Sequence, residues 1–138
     1  MNEKILLLIK PDGVRRGLTG DVLSRIEHKG YILENLRMHA GDLSGLLDEH
    51  YAEHIDKPFY PGLKKYMTSG PIVAAVFSGA RVIEGVRSLV GATDPTVAAP
   101  GTIRGDFGRD WCSGALENIV HASDSVQSAE REIKIWFS

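Results

Sequence analysis

The stretch Lys4–Lys10, "KILLLIK", decides the fold of this sequence. Five consecutive apolar residues lie between two lysines, and the turn sequence "PDG" follows at once. A continuous apolar run of this length, ended by proline and glycine, is typical of a strand that is buried on both faces. The stretch therefore predicts a central strand, which the rest of the chain must cover with other layers.

A second apolar stretch, "PIVAAVF" at 71–77, predicts another buried strand. The segment after it has the clearest helical spacing in the chain, with five apolar residues on one face: Val82, Ile83, Val86, Leu89 and Val90. Arg87 falls at the edge of this apolar stripe. Its guanidinium can therefore point along the surface into a neighbouring groove.

The remaining elements follow from shorter patterns. Strands are predicted over 31–40 ("YILENLRMHA") and 118–121 ("NIVH"), and helices over 19–30, 43–51, 63–67 and 126–137. Thr19 is the expected N-cap of the first of these helices, and Ser123 or Asp124 that of the last. Residues 91–114, rich in Gly, Pro, Thr and charge, predict a long loop.

The order β-α-β-(α-α)-β-α-β-α contains two βαβ halves, as in a ferredoxin-like, split βαβ arrangement. We therefore expect an α+β sandwich with a four-stranded antiparallel sheet and helices packed on it. At 138 residues without a break in composition, a single domain over 1–138 is expected.

Composition excludes several classes of protein. No apolar run, Ile5–Ile9 included, is long enough to span a bilayer, and the N-terminal residues lack the features of a signal peptide. One cysteine, Cys112, cannot form an internal disulfide, which fits a reducing cytoplasm. A net charge of −2 is no footprint of a dedicated nucleic-acid binder, so any anion must be held by a local positive cluster.

Glycine-rich phosphate loops are absent from the sequence. "GVRRGLTG" at 13–20 lacks the Lys-Ser/Thr of a Walker A loop, and no G-x-G-x-x-G occurs. If phosphates bind, side chains must hold most of the charge, and five candidates stand near turns or glycines: Lys10, Arg87, Thr93, Arg104 and Asn118. The alternative for any isolated arginine is an ordinary solvated charge.

The five histidines have different contexts. His28 and His39 lie among polar residues, where we expect them to be solvated. The run 50–54, "HYAEH", matches the H-x-x-E-H zinc pattern, with His50 and His54 one helical turn apart and Glu53 beside them. "DKPFYPG" then ends the helix, and so small a chain has little room for a substrate cleft. A solvated polar helix face is the favoured alternative.

His121 ends the last predicted strand, a place where sheet proteins often carry reactive groups. Ser123 lies two residues on, and Glu132 lies on the following helix, able to face back. A neutral imidazole is a good nucleophile near pH 7, and a carboxylate on its other nitrogen fixes the tautomer. The alternative is a partly buried histidine with only a structural role.

Five motifs together resemble the nucleoside diphosphate kinase family, in the family's order and over nearly the whole chain. The motifs are "IKPDGVRRGL" (9–18), "SGPIVAAV" (69–76), "PGTIRGDF" (100–107), "NIVHASDS" (118–125) and "SAEREI" (128–133). The resemblance implies the ferredoxin-like fold and a ping-pong exchange of the γ-phosphate between nucleoside tri- and diphosphates, which maintains triphosphate pools.

The resemblance also implies roles for single residues. His121 matches the histidine that is phosphorylated on Nδ1, Glu132 and Ser123 the residues that orient it, and Tyr51 a neighbour. Five residues match positions that hold phosphates and ribose: Lys10, Arg87, Thr93, Arg104 and Asn118. Phe59 matches the aromatic residue on which the base stacks, with Leu63 at its flank. Mg²⁺ bridges the β- and γ-phosphates, and Asp124 matches a carboxylate near the metal. Stacking ignores base identity, so broad nucleotide specificity is expected.

Two features depart from the family pattern. The connection 108–117, "GRDWCSGALE", is longer than usual, and the chain ends after "IWFS" without the extension of longer members. Members form hexamers or tetramers, occasionally dimers, so a homo-oligomer is expected. A non-catalytic nucleotide-binding or scaffolding relative is the alternative to an active kinase.

Overall fold

The computed structural model describes residues 2–138. Its strands are β1 (Asn2–Ile9), β2 (Ile32–His39), β3 (Ile72–Ala80) and β4 (Val120–Ala122). Its helices are α1 (Pro11–Arg15), α2 (Thr19–His28), α3 (Ser44–His50), α4 (Tyr60–Met67), α5 (Val82–Val90), α6 (Ile103–Phe107) and α7 (Val126–Trp136), with a 3₁₀ turn at Ala52–His54. None of these helices has the length and apolar character needed to cross a membrane.

The four strands form one antiparallel sheet in the order β2-β3-β1-β4. β1 lies inside this sheet between β3 and β4, as its apolar run predicts. Side chains alternate between the two faces of a strand. Accordingly, Ile5, Leu7 and Ile9 belong to one apolar cluster, and Leu6 and Leu8 belong to another. All five side chains are fully buried. The apolar run has to be continuous because β1 contacts a covering layer on each face of the sheet.

Helices cover both faces of the sheet. Apolar residues of α2 and α5 pack in the first cluster, whereas α3, α4 and the C-terminal end of α7 supply the second. Full burial of one large apolar side chain stabilises a fold by about 1.5–3 kcal/mol, so both layers contribute strongly. The predicted four-stranded antiparallel α+β sandwich is confirmed.

Both predicted helix caps are wrong. Helix α2 has Leu18 at its N-cap and makes no side-chain cap bond, so Thr19 is already helical. Helix α7 is capped by Ser125, whose Oγ accepts a hydrogen bond from the N–H of Ser128 at 3.0 Å. Ser123 cannot serve as the cap because it is fully buried and its hydroxyl donates to Glu132.

The long loop predicted over 91–114 contains a short helix, α6. Thr102 caps it by accepting a hydrogen bond from the N–H of Gly105 at 3.0 Å. Gly91 and Gly101 have φ of 88° and 95°, a left-handed conformation that favours glycine. Helices α1 and α6 have only five residues each, too few for a periodic apolar pattern to reveal them.

Candidate active site

A cavity of about 580 Å³ opens beside β4, a volume suited to a small-molecule ligand. Eleven of the twelve residues predicted for the site line it: Lys10, Tyr51, Phe59, Leu63, Arg87, Thr93, Arg104, Asn118, His121, Asp124 and Glu132. The twelfth, Ser123, lies behind the wall, fully buried. The structure thus brings together residues that are up to 122 positions apart in the chain.

Within residues 2–138, the ring of His121 is hydrogen-bonded through only one of its two nitrogens, Nε2. Its Nε2 lies 2.9 Å from Oε1 of Glu132, and the same oxygen accepts a hydrogen bond from Ser123 Oγ at 2.7 Å. A carboxylate only accepts, so Nε2 carries the ring proton and Nδ1 keeps its lone pair. Among the described residues Nδ1 has no protein partner, and the ring lines the cavity. The arrangement leaves a nucleophilic nitrogen available for chemistry.

A buried carboxylate holds the turn that leads into β4. Ile119 has a φ of 73°, a rare conformation for a β-branched residue that costs on the order of 1–3 kcal/mol. Its N–H donates to Oδ2 of Asp12 at 3.2 Å, and the hydroxyl of Tyr66 donates to Oδ1 at 2.5 Å. Asp12 is fully buried. Asp12 and Tyr66 therefore fix the backbone between Asn118 and His121. This role was not predicted from the sequence, although an acidic residue shortly after a buried strand was a signal for it.

Lys10 and Asn118 form one wall of the cavity. Lys10 Nζ donates to Asn118 Oδ1 at 2.8 Å, and Asn118 Nδ2 donates to the carbonyl oxygen of Thr93 at 3.0 Å. Burial, and secondarily the charge of Arg104, lowers the pKa of Lys10 to about 7, against an opposing effect of Asp12. An anion beside this ammonium would favour its charged form.

Two arginines complete the positive wall. Arg104 is 9% exposed and donates through Nη1 to Gly91 O at 3.1 Å and through Nη2 to Val120 O at 2.7 Å. Its Nε is the one fully buried side-chain nitrogen or oxygen without a partner in the described residues. Burial and the charge of Arg87 lower the pKa of Arg104 to about 10. Buried cations with unused donors are typical of an anion site.

Arg87 and Asp124 stand on the exposed side of the cavity. Arg87 Nη1 donates to the carbonyl oxygen of Ala122 at 3.0 Å, so its side chain turns into the groove, as its position on the α5 stripe predicts. A hydrogen bond from Ser128 is the main cause that lowers the pKa of Asp124. The cavity mouth therefore carries an ionised carboxylate.

The opposite end of the cavity is apolar and open. Phe59 is 53% exposed, Leu63 stands next to it, and Gly114–Leu116 face the same space. The segment 108–117 is a small hairpin, because Arg109 and Glu117 exchange backbone hydrogen bonds of 2.9 and 3.1 Å. An exposed aromatic ring beside small and aliphatic residues can accept a flat ring by stacking.

The zinc interpretation of "HYAEH" is wrong. Helix α3 ends at His50, whereas His54 lies in the separate 3₁₀ turn, so the two imidazoles do not share one helical face. His54 Nδ1 lies 3.0 Å from Lys57 Nζ. In the described residues, the one cluster of three groups able to hold a metal ion is formed by His50, His121 and Glu132.

Two other histidine expectations also fail. His50 is not solvated, being 6% exposed, and Trp136 Nε1 donates to its Nδ1 at 3.0 Å. His39 Nε2 bonds the carbonyl oxygen of Trp136 at 3.0 Å, although its sequence neighbours are polar. His28 is exposed as predicted. The partners of His39 and His50 come from the far end of the chain, where no local pattern could indicate them.

A cationic cavity that presents a free imidazole nitrogen is suited to phosphoryl transfer and indicates an enzyme of the phosphate-transferring class. Residues 3–138 match the family model "Nucleoside diphosphate kinase". The chain therefore belongs to the nucleoside diphosphate kinase family, which is a family of phosphotransferases. The predicted family, activity and enzyme class are confirmed at this level.

Two nucleoside diphosphate kinases are similar in sequence to nearly the whole chain. The chain is 54% identical to a nucleoside diphosphate kinase of Streptomyces avermitilis, covering 99% of this chain and 97% of the relative. It is 55% identical to that of Thermobifida fusca, covering 98% and 96%. Neither alignment leaves room for an additional large segment in the relative.

Solved structures of the family have the same fold. The chain resembles a transition-state mimic of the Borrelia burgdorferi enzyme with bound vanadate and ADP, with a TM-score of 0.91 and 39% identity over 99% of this chain and 88% of that chain. It resembles the Halobacterium salinarum enzyme in complex with CDP equally well, with a TM-score of 0.91 and 46% identity over 100% and 89%.

Proposed function

We propose that the chain transfers the γ-phosphoryl group of a nucleoside triphosphate to a nucleoside diphosphate through phosphorylated His121. In the first half-reaction Nδ1 attacks the γ-phosphorus, the bond to the β-phosphate oxygen breaks, and the diphosphate leaves. In the second, an oxygen of the acceptor diphosphate attacks the phosphorus and Nδ1 is released. The observation that carries the proposal is the geometry of His121, whose Nε2 is engaged by Glu132 while Nδ1 is free in the cavity that Lys10, Arg87 and Arg104 also line.

The remaining residues have positioning and electrostatic roles. Phosphoryl transfer depends mainly on alignment and on stabilising charge at the equatorial oxygens. Lys10, Arg87 and Arg104 supply positive charge, with Thr93 and Asn118 as polar neighbours. Tyr51 stands beside the reacting histidine, where burial raises the pKa of its phenol well above the usual range. Its hydroxyl therefore stays protonated and acts only as a neutral hydrogen-bonding group.

Substrates are nucleoside tri- and diphosphates of any base, including the deoxy forms. The relatives with bound ADP and CDP carry two different bases. Phe59 lines the cavity and offers a ring face on which either base can stack. Broad exchange of this kind maintains the triphosphate pools, and the single exposed free Cys112 agrees with a cytoplasmic location.

The site fits a magnesium ion that arrives with the nucleotide. Mg²⁺ prefers oxygen ligands and is usually held by one or two carboxylates together with substrate phosphates. Asp124 supplies one ionised carboxylate at the cavity mouth. When bound, the ion would neutralise charge on the β- and γ-phosphates. The described residues offer no closed cage of oxygen ligands here, which agrees with an indirect role for Asp124.

We further propose that residues 1–138 fold as one domain and assemble into a homo-oligomer, a tetramer or hexamer or else a dimer. Two apolar clusters share the same sheet. The outer strand β2 exposes Ile32, Leu36 and Met38 by 48–59%, and an apolar edge strand is a common pairing surface. Light scattering of the purified protein gives the mass; a monomer at micromolar concentration would overturn the assembly proposal.

The central test is labelling by ATP that carries ³²P in the γ-phosphate. The native chain should acquire one acid-labile, alkali-stable label, and ADP, GDP or CDP should discharge it as the triphosphate. His121→Ala should take up none. A label that survives this substitution would disprove the nucleophile, and nucleotide binding without any label would identify a non-catalytic relative.

A further inference from the structure

His50 lies next to the reacting histidine but has no role in the reaction described above. It is the last residue of α3 and lines the cavity. The centroid of its ring is 4.5 Å from that of His121, with an angle of 84° between the two planes. Its backbone carbonyl accepts hydrogen bonds from Arg131 at 3.2 and 3.3 Å. Both the main chain and the ring are therefore fixed.

Trp136 determines which nitrogen of His50 carries the proton. The indole Nε1–H donates to Nδ1 of His50 at 3.0 Å. An indole nitrogen is only a donor, so Nδ1 must present a lone pair, and the proton of the neutral ring is on Nε2. Trp136 is fully buried in the second apolar cluster, so the donor cannot turn away. Burial, followed by the neighbouring His121, lowers the pKa of His50 to about 2, and the ring is neutral throughout the working range.

The Nε2–H group of His50 has no partner within the described residues. None of their hydrogen bonds uses it, whereas Nδ1 has Trp136. The one side-chain nitrogen or oxygen that is both fully buried and unpartnered is Nε of Arg104. Nε2 of His50 is therefore accessible, and the residue lines the cavity. A fixed, neutral donor points into the space where the nucleophile works.

We propose that Nε2–H of His50 donates a hydrogen bond to an oxygen of the phosphoryl group as it moves to and from Nδ1 of His121, with Trp136 as the positioning residue. This inference rests on the proposed phosphohistidine reaction. Fixed donors that face developing negative charge stabilise a transition state without reorganisation. In this tautomer the lone pair of His50 is occupied by the indole, so we do not expect His50 to act as a nucleophile itself.

Substitutions separate this role from simple packing. His50→Phe keeps a ring against His121 but removes the donor and leaves the Trp136 N–H unpaired. The double variant His50→Phe/Trp136→Phe removes that buried N–H as well, so a slow rate that persists in it does not come from the unpaired indole. Both variants should phosphorylate His121 about 100-fold more slowly than the native chain. KM for ATP should change by less than about threefold, because the bond forms in the transition state.

Two further variants act as a rescue and a control. His50→Gln places an amide N–H near the former Nε2 and should recover most of the rate. His39→Phe changes the histidine on the other side of Trp136, which contacts that ring at 5.1 Å but does not line the cavity. It should label at the native rate. A double variant that is folded and labels as fast as the native chain would overturn the role of His50.

NMR of the native chain with ¹⁵N-labelled histidine provides a test that needs no substitution. The ring nitrogens of His50 should show the neutral Nε2–H form between pH 5 and 9, and the Nε2–H proton should move downfield when His121 is phosphorylated. A neutral Nδ1–H form, or a Nε2–H signal indifferent to phosphorylation, would contradict the inference. Failure of the native chain to label at all would instead disprove the proposed function, so the two failures are distinguishable.

Discussion

The two ends of the cavity are built in opposite ways. At the phosphate end, Lys10, Arg104 and Glu132 are at most 9% exposed, and each is bonded to another residue of the site or to the nearby backbone. At the apolar end, Phe59 is 53% exposed. The first end is rigid and charged, whereas the second is open and offers mainly ring surface.

This difference matches the role that we propose for each end. Charge stabilisation is strong only where donors are fixed and shielded from water. The strained Ile119 and the buried Asp12 support such a fixed arrangement. Stacking on an aromatic ring tolerates any base and needs no such precision. Substitutions at the two ends should therefore differ in size and in the kinetic constant that they change.

Among substitutions that keep His121, the largest effect is expected from Arg104→Ala. Removal of one fixed donor to developing charge typically lowers kcat by about 10²–10³-fold, and we expect a loss of that size in phosphoryl transfer. The half-buried carbonyl of Gly91 and the buried carbonyl of Val120 lose their donors, which lowers the free energy of unfolding by roughly 1–3 kcal/mol. Rates should be measured well below the unfolding midpoint, where both proteins are folded.

Arg109→Ala is the matched control for this prediction. It removes the same charge from the exposed hairpin, where the guanidinium lies 4.4 Å from the ring centroid of Trp111 and does not line the cavity. Transfer should stay at the native level. If Arg104→Ala transferred phosphate as fast as the native chain, the proposal that the phosphate end depends on fixed donors would be wrong.

A structural feature of this molecule is predictable from sequence when it depends on residues that are close together in the chain. β1 was predictable because a run of five apolar residues has few alternatives to a strand buried on both faces. The short helix α6 depends on local caps and positive-φ glycines, which composition does not reveal. The residues of the site were named through family resemblance, and their place in one cavity is seen only in three dimensions.

His50 illustrates what sequence could not give. Its local pattern suggested either a zinc ligand or a solvated helix face, and both interpretations are wrong. The residue that fixes its proton, Trp136, lies 86 positions further along the chain. Asp12 likewise acts on Ile119, 107 positions away. Long-range partners of polar groups leave no periodic signal, so they appear only when the fold is known.

A second, smaller effect concerns the pH dependence of nucleotide binding. The pKa of Lys10 is about 7 in the protein without an anion, below the ordinary value of 10.5. Phosphate favours the charged ammonium, so binding above pH 7 takes up a proton, and the Kd for ADP should rise by about tenfold per pH unit between 7 and 9. In Lys10→Arg the cation stays charged, so this rise should disappear.

Calorimetry at several pH values, in buffers of different ionisation enthalpy, measures both the Kd and the proton uptake. Without a bound anion, the same pKa makes the stability of the protein depend on pH. The unfolded chain binds the proton of Lys10 between about pH 7 and 10.5 while the folded chain does not, so this lysine makes stability rise with pH in that window. A flat Kd in the native chain would contradict the buried, proton-poor lysine.

The smallest effect is expected at the apolar end, from Phe59→Ala. Stacking of one base on an aromatic side chain is worth about 1–3 kcal/mol, so KM should rise roughly 5- to 100-fold for ATP, GTP and CTP alike, while the rate at saturation stays near native. Phe59 is exposed and lies outside both apolar clusters, so thermal stability should not change.

The control is Trp111→Ala, which removes an equally exposed ring that does not line the cavity, and it should leave KM unaltered. A loss that depends strongly on the base would mean that this end reads base edges, and the contrast between a precise phosphate end and a tolerant base end would then be wrong.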